Sequence, residues 1–247
     1  MRAMILAAGL GTRLKPITDS TPKALIKIKG FTLLKLQIKK LQSEGFNQII
    51  INVHHFSDQL KEYIKQNIFN NCSIIISDES KKLLDTGGGI KKAAHFFSDG
   101  KPFLVYNVDI LSDINLKSLT DHHKASGGIA TLAVRERASS RKLLFNYENN
   151  LCGWMNEKTE EKIFLRDENT RLIPYSFSGV QILDPAIFKY FPDEDVFSLV
   201  DLYLAAAKEK KITGFVHNED NWLDIGKTET LTEAENLFEK IRNTYRV

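Results

Sequence analysis

The chain has 247 residues, 43% hydrophobic and 26% charged, which is enough apolar material for one substantial core and shows no biased tract that argues for disorder. Lys and Arg number 34 against 31 Asp and Glu, a formal charge of +3 spread along the sequence, so no polybasic arm points to nucleic acid. Cys72 and Cys152 lack metal-ligand spacing and predict reduced thiols, hence a cytoplasmic setting.

The apolar start, Met1 to Gly9, is too short for a signal-peptide core, and no segment approaches the roughly 20 apolar residues of a membrane span. A chain neither secreted nor inserted is expected, folded as a single domain over residues 1–247 and existing as a monomer or small homo-oligomer. Residues 3–8 read as a buried first strand that ends in a glycine loop. A helix follows over 32–43, with Thr32 as N-cap and Gly45 as stop. Gln48 to Val53 reads as a second strand, then come a helix after Ser57, a strand near 72–76, a helix after the glycines at 87–89, and a strand at 102–106. This alternation, with strands apolar on both faces, predicts an α/β fold with a mostly parallel central sheet and ligands beyond the strands' carboxyl ends. The second half offers a strand at 129–134, a polar stretch from 146 to 170, and a strand near 177–183. Helices near 185–191 and 197–209, a strand at 212–216 and a terminal helix over about 228–243 complete it.

Ala8-Gly9-Leu10-Gly11-Thr12-Arg13-Leu14 follows the first strand, where glycines let backbone N–H groups approach anionic oxygens. Gly9 and Gly11 are therefore candidates for a triphosphate cradle, with Ala8 and Thr12 of the same loop as further nucleotide-binding candidates. The spacing is neither GxGxxG nor GxxxxGK[ST], and an ordinary glycine turn remains an alternative. Arg13 can fork onto phosphates and Lys23 can bring a point charge, although either alone also suits a solvated surface. Asp109, just past the strand at 102–106, suits a phosphate-bound Mg²⁺, and Asp224, set among apolar residues, is its best partner. An N-cap role is the simpler alternative for Asp224. His54 and His55 point in opposite directions on an extended segment and read as structural or pocket-lining.

Ala7 to Leu14, Pro16-Ile17-Thr18 and Pro22-Lys23-Ala24-Leu25 together resemble the signature of sugar-1-phosphate nucleotidyltransferases. Asn107-Val108-Asp109, Phe177-Ser178-Gly179-Val180 and Trp222-Leu223-Asp224-Ile225-Gly226 fall in that family's order across nearly the whole chain. Leu84-Asp85-Thr86-Gly87-Gly88-Gly89-Ile90 is similar to a segment of the N-acetylmuramate-1-phosphate uridylyltransferases of peptidoglycan recycling. The resemblance implies a three-layer, Rossmann-like nucleotidyltransferase fold, with a nucleotide-binding half over about 1–110 and a sugar-phosphate-binding half over about 111–247. It also implies Mg²⁺ on Asp109 and Asp224, a catalytic set of Arg13, Lys23 and Asp109, and a turn at Gly87 and Gly88 against the nucleoside; a turn that merely starts a helix is the simpler alternative for those glycines. Asn107, Ser178 and Gly179 fall on the sugar-phosphate side.

The family's Glu-Lys-Pro element is matched only by Glu157-Lys158-Thr159, which equally suits a solvated loop. Glu79 is the candidate for reading the base, with Asp78 as well placed by sequence. The implied partners are a nucleoside triphosphate, UTP favoured, and a sugar 1-phosphate, N-acetylmuramate 1-phosphate favoured. Alternatives are a mannose- or heptose-1-phosphate guanylyltransferase, or a non-catalytic nucleotide-sugar-binding protein. A dinucleotide-binding oxidoreductase is disfavoured, because the third glycine is missing and His54 and His55 stand where an acid would end the second strand.

Overall fold

The computed structural model describes residues 1–67, 69, 71–165 and 171–246. The opening apolar run is buried from Ala3 onward and forms β1 (Arg2–Leu6). Beyond the glycine loop, a short hairpin of β2 (Lys27–Ile28) and β3 (Phe31–Thr32) leads into α1 (Leu33–Ser43). The Thr32 hydroxyl accepts the Lys35 N–H at 3.1 Å, a cap worth about 1 kcal/mol, and Gly45 ends the helix at φ 87°. The alternation then runs as expected through β4 (Gln48–Val53), α2 (Ser57–Gln66), β5 (Ser73–Asp78), α3 (Asp85–Ala93) and β6 (Phe103–Asn107). One detail of that half departs from expectation: Gly87, Gly88 and Gly89 lie inside α3 and form no turn before it.

The second half holds β7 (Ile110–Ser112), α4 (Leu116–Ser126), β8 (Ala130–Arg135) and β9 (Arg141–Phe145). The polar stretch read as irregular contains β10 (Leu151–Asn156) and β11 (Lys162–Phe164), while its last residues, 166–170, lie outside the described residues. β12 (Ile173–Leu183) is followed by a 3₁₀ turn at Pro185–Tyr190, α5 (Leu199–Ala207), β13 (Ile212–Val216), β14 (Trp222–Asp224) and α6 (Thr230–Tyr245).

Ten of these strands form one sheet, with β5, β4, β1 and β6 side by side and mutually parallel. This is the parallel block expected from the double-sided apolar strands. β12 lies antiparallel to β6 and carries β9, β10 and β11 antiparallel beyond it, while β8 and β13 attach as a parallel pair on β12. Alternate strand residues face two cores, as a pleat requires. Ala3, Ile5, Leu104 and Tyr106 join α1, α4 and α6 on one side, and Met4, Leu6, Phe103 and Val105 join α3 and α5 on the other. The result is three layers, helix, sheet and helix. β1 has β4 on one side and β6 on the other, so the winding reverses between β1 and β6. In such sheets the crevice for a ligand opens at that reversal, outside the carboxyl ends of the strands. Among the described residues no helix is long and apolar enough to cross a membrane.

Candidate active site

At the carboxyl ends of β1 and β6 lies a cavity of about 580 Å³. Its wall includes Ala8, Gly9, Gly11, Thr12 and Arg13 from the loop after β1, Lys23, and Asn107 and Asp109 at the end of β6. The loop is shaped by its own residues. Gly11 takes φ 66°, its carbonyl accepts both the Leu14 N–H at 2.8 Å and the Thr18 hydroxyl at 2.9 Å, and a Cβ there would stand 2.9 Å from Thr18 Cγ2. Only glycine meets both the left-handed backbone and the close approach.

Asp109 and Asp224 are far apart in sequence, and backbone pairing brings them together. Asp109 immediately precedes β7, which pairs antiparallel with β14 so that Asp224 lies opposite Ile110. The Ile225 N–H then donates to the Asp109 carbonyl at 2.9 Å. The Lys23 ammonium forms an ion pair with Asp109. Gly226 sits between Arg13 and Asp224: a Cβ on it would lie 2.8 Å from Arg13 Nη2 and 3.0 Å from Asp224 Oδ1. The glycine therefore lets the guanidinium approach that carboxylate. Burial, and next the charge of Asp109, push the Asp224 carboxyl up from its ordinary value, with Lys23, Arg13 and Arg137 opposing. Asp224 Oδ1 is buried with no hydrogen-bond partner among the described residues.

Those features fit a hard divalent cation. Two converging carboxylates, one with an unsatisfied oxygen, are the donor set Mg²⁺ takes when substrate phosphates and water supply the remaining ligands. Among the described residues no group of three or more His, Cys, Asp or Glu side chains could hold a metal.

Other expected residues stand elsewhere. Glu79 is 1% exposed, and its carboxylate accepts from Asn52 Nδ2 at 2.8 Å and the Leu84 N–H at 3.4 Å. Asn52 in turn accepts the Ala7 N–H at 2.7 Å, so Glu79 braces the loop from below instead of presenting a carboxylate to a base. Burial pushes its carboxyl up, with the Asn52 and Leu84 bonds opposing. Asp78 is paired with Lys61 at 2.7 Å and is not on the cavity wall. Gly87 and Gly88 are buried against the segment at 195–197: a Cβ on Gly87 would meet the Phe197 ring at 2.4 Å, and one on Gly88 the Asp195 carbonyl at 1.9 Å. They seat α3 and do not line the cavity; Asp85, at φ 60°, and Thr86 do.

Ser178 and Gly179 are also buried. The Ser178 hydroxyl meets His217 Nε2 at 2.7 Å, and Gly179, at φ 77°, lets β12 pass Ile110 and Asn107 closely. Glu157 and Lys158 form the exposed turn after β10, where Glu157 pairs with Lys142 at 3.1 Å; neither is on the cavity wall. His54 bonds the Glu79 carbonyl at 2.7 Å and the His55 ring packs tilted at 48° against Phe56, both structural. Asn52 and Arg137 went unnoticed in the sequence. A lone amide inside Ile49-Ile50-Ile51-Asn52-Val53 is a legible signal for the first, and two arginines spaced by one residue at the end of a strand for the second.

The profile of the nucleotidyl transferase family matches residues 2–143. The chain belongs to the nucleotidyl transferase family. Its enzyme class is that of the sugar-1-phosphate nucleotidyltransferases. This nucleotidyltransferase is 30% identical over 237 residues to an N-acetylmuramate α-1-phosphate uridylyltransferase of Neisseria meningitidis serogroup B, covering 96% of this chain and 98% of that one. It is 25% identical to the mannose-1-phosphate guanylyltransferase catalytic subunit beta of Dictyostelium discoideum, covering 96% of this chain but 64% of that longer protein, less than two thirds. A UDP-glucose pyrophosphorylase solved in complex with UDP-glucose superposes with TM-score 0.73 at 21% identity, over 97% of this nucleotidyltransferase and 98% of that chain, a likeness of fold.

Proposed function

We propose that this enzyme transfers a uridylyl group from UTP to N-acetylmuramate 1-phosphate, releasing pyrophosphate, with Mg²⁺ held by Asp109 and Asp224. The observation that carries the reading is the convergence of a glycine loop, Arg13, Lys23, Asp109 and Asp224 at one end of β1 and β6. The near full-length likeness to the Neisseria enzyme supports the choice of base and sugar.

An acceptor phosphate oxygen attacks the α-phosphorus, the bond to the bridging oxygen breaks, and that oxygen leaves on pyrophosphate. The nucleophile is already an anion, so no side chain has to remove a proton. Catalysis is then positioning and charge neutralisation. The loop from Ala8 to Thr12 offers backbone N–H groups to the triphosphate, Arg13 forks onto its outer oxygens, and Lys23 exchanges its pairing with Asp109 for a phosphate oxygen. When bound, the cation neutralises phosphate charge and orients the α-phosphate. In this reading residues 1–110 supply the nucleotide side and residues 111–247, with Glu157 and Lys158, the acceptor side of the same domain. A cytoplasmic setting follows from these substrates.

The guanylyltransferase likeness supports a second pairing, GTP with mannose 1-phosphate. Pyrophosphate release measured for UTP, GTP, CTP, dTTP and ATP against N-acetylmuramate, mannose, glucose and N-acetylglucosamine 1-phosphates separates them. UTP with N-acetylmuramate 1-phosphate is expected to lead. GTP with mannose 1-phosphate in front would replace the substrate assignment, and silence from every pair would leave a binding protein.

A further inference from the structure

β8 ends at Arg135 and the chain continues Glu136-Arg137, so that the two arginines, one residue apart, come to the same ring. Both guanidiniums lie over the Trp222 ring, Arg135 at 5.6 Å and Arg137 at 4.7 Å from its centroid. Their remaining donors differ. Arg135 is engaged by the carbonyls of Asp220 at 3.1 Å and Asn218 at 3.3 Å. Arg137 donates from Nη2 to the Phe177 carbonyl at 3.1 Å and only weakly from Nη1 to Ala138 at 3.4 Å, while its Nε is buried without a partner.

Among the described residues Arg137 forms no ion pair, yet its charge is felt at Asp224. A half-buried guanidinium without a carboxylate partner is costly unless something else satisfies it. The ring face attracts the cation, and the unpartnered Nε leaves an unsatisfied donor in the guanidinium. Trp222 stands two residues before Asp224 on β14, so this held cation belongs to the site's framework. Arg13 and Lys23 reach the two carboxylates from the first half of the chain, with the glycine loop. Arg137 reaches Asp224 from the second half, with Phe177 and Trp222.

We propose that Arg137, held over the Trp222 ring on the strand that carries Asp224, binds the phosphate of the acceptor sugar 1-phosphate. The assignment rests on the proposed reaction and adds to it the residue that grips the second substrate. A guanidinium fork matches a phosphate dianion with two parallel bonds, whereas a lysine would offer one point charge.

The test is steady-state pyrophosphate release by wild type, Arg137→Gln and Arg137→Lys, varying each substrate at saturating levels of the other, together with calorimetric titration of N-acetylmuramate 1-phosphate into each protein with Mg²⁺ and a non-hydrolysable UTP analogue. Arg137→Gln is expected to raise the acceptor KM by about 10-fold or more, the scale of charge-assisted bonds, and to move the UTP KM less than about twofold. Arg137→Lys should fold, melt like wild type and recover only part of the acceptor affinity, so it decides the matter if Arg137→Gln does not fold. Unchanged acceptor constants, or UTP and acceptor constants rising together, overturn the assignment. Wild type that turns over no pair but binds the sugar 1-phosphate, with binding lost in Arg137→Gln, leaves the assignment standing and removes the reaction. Wild type that neither turns over nor binds removes both.

Discussion

His217 meets Ser178 through Nε2 at 2.7 Å while being 4% exposed, and its other nitrogen lies 3.4 Å from Asp220 Oδ2. Burial first, and the nearby Arg135 charge second, lower its pKa to about 4. The folded protein therefore keeps the imidazole neutral at a pH where the unfolded chain already protonates it. The resulting stabilisation is complete above the unfolded value near 6.5 and is lost as pH falls toward about 4, amounting to roughly 2 kcal/mol by pH 5. Urea unfolding at pH 7.5 and pH 5 should show a smaller loss for His217→Gln than for wild type; equal losses would remove His217 from the acid sensitivity. The family resemblance puts Ser178 on the sugar-phosphate side, and in the fold its hydroxyl is this buried histidine's partner. A side chain's face on a strand with a break in register, as β12 has between Phe177 and Gln181, is not set by simple alternation.

Among elements, α3 shows where glycine misleads. Three glycines in a row read as a turn, because glycine is a poor helix former. Here tertiary packing overrides propensity: the helix approaches 195–197 so closely that no Cβ fits at Gly87 or Gly88. Gly88→Ala adds up to about 1 kcal/mol of helix propensity, but its Cβ would meet the Asp195 carbonyl at 1.9 Å, and the overpacking, about 1–3 kcal/mol, is expected to outweigh it. A lower urea midpoint is the expected result, and a raised one would show that the segment yields freely. Elements with apolar runs or clear caps were legible, β4 and β13 to the residue. β11 was not, since all three of its residues are exposed. α4 escaped because only Leu116, Leu119 and His123 are buried on it, too narrow a stripe for periodicity to register, although its Asn115 cap was a usable signal.

At the scale of the whole molecule, the reversal of winding between β1 and β6 opens the cavity, and the β7–β14 pairing carries Asp224 to Asp109. Sequence order makes the ends of β1 and β6 legible as ligand-facing. The meeting of Asp109 with Asp224, and the placing of Arg137 over Trp222 on the strand that carries Asp224, depend on pairings between segments remote in the chain. Lys23 pairs with Asp109 and brings a positive charge to that carboxylate. Chelation with EDTA is accordingly expected to stop turnover while shifting Tm by no more than about 2 °C, under the scale of a 1 kcal/mol change. A collapse of Tm would make the cation structural instead.

The most direct measurement is pyrophosphate release from UTP and N-acetylmuramate 1-phosphate with Mg²⁺, by wild type and by Asp109→Ala at matched concentration and matched folded fraction. Turnover by wild type, reduced by at least about 100-fold in the variant with far-ultraviolet circular dichroism unchanged, is the predicted result. Turnover retained in a folded Asp109→Ala protein would contradict it, because the two carboxylates at the strand ends would then not be the place where the phosphoryl charge is met.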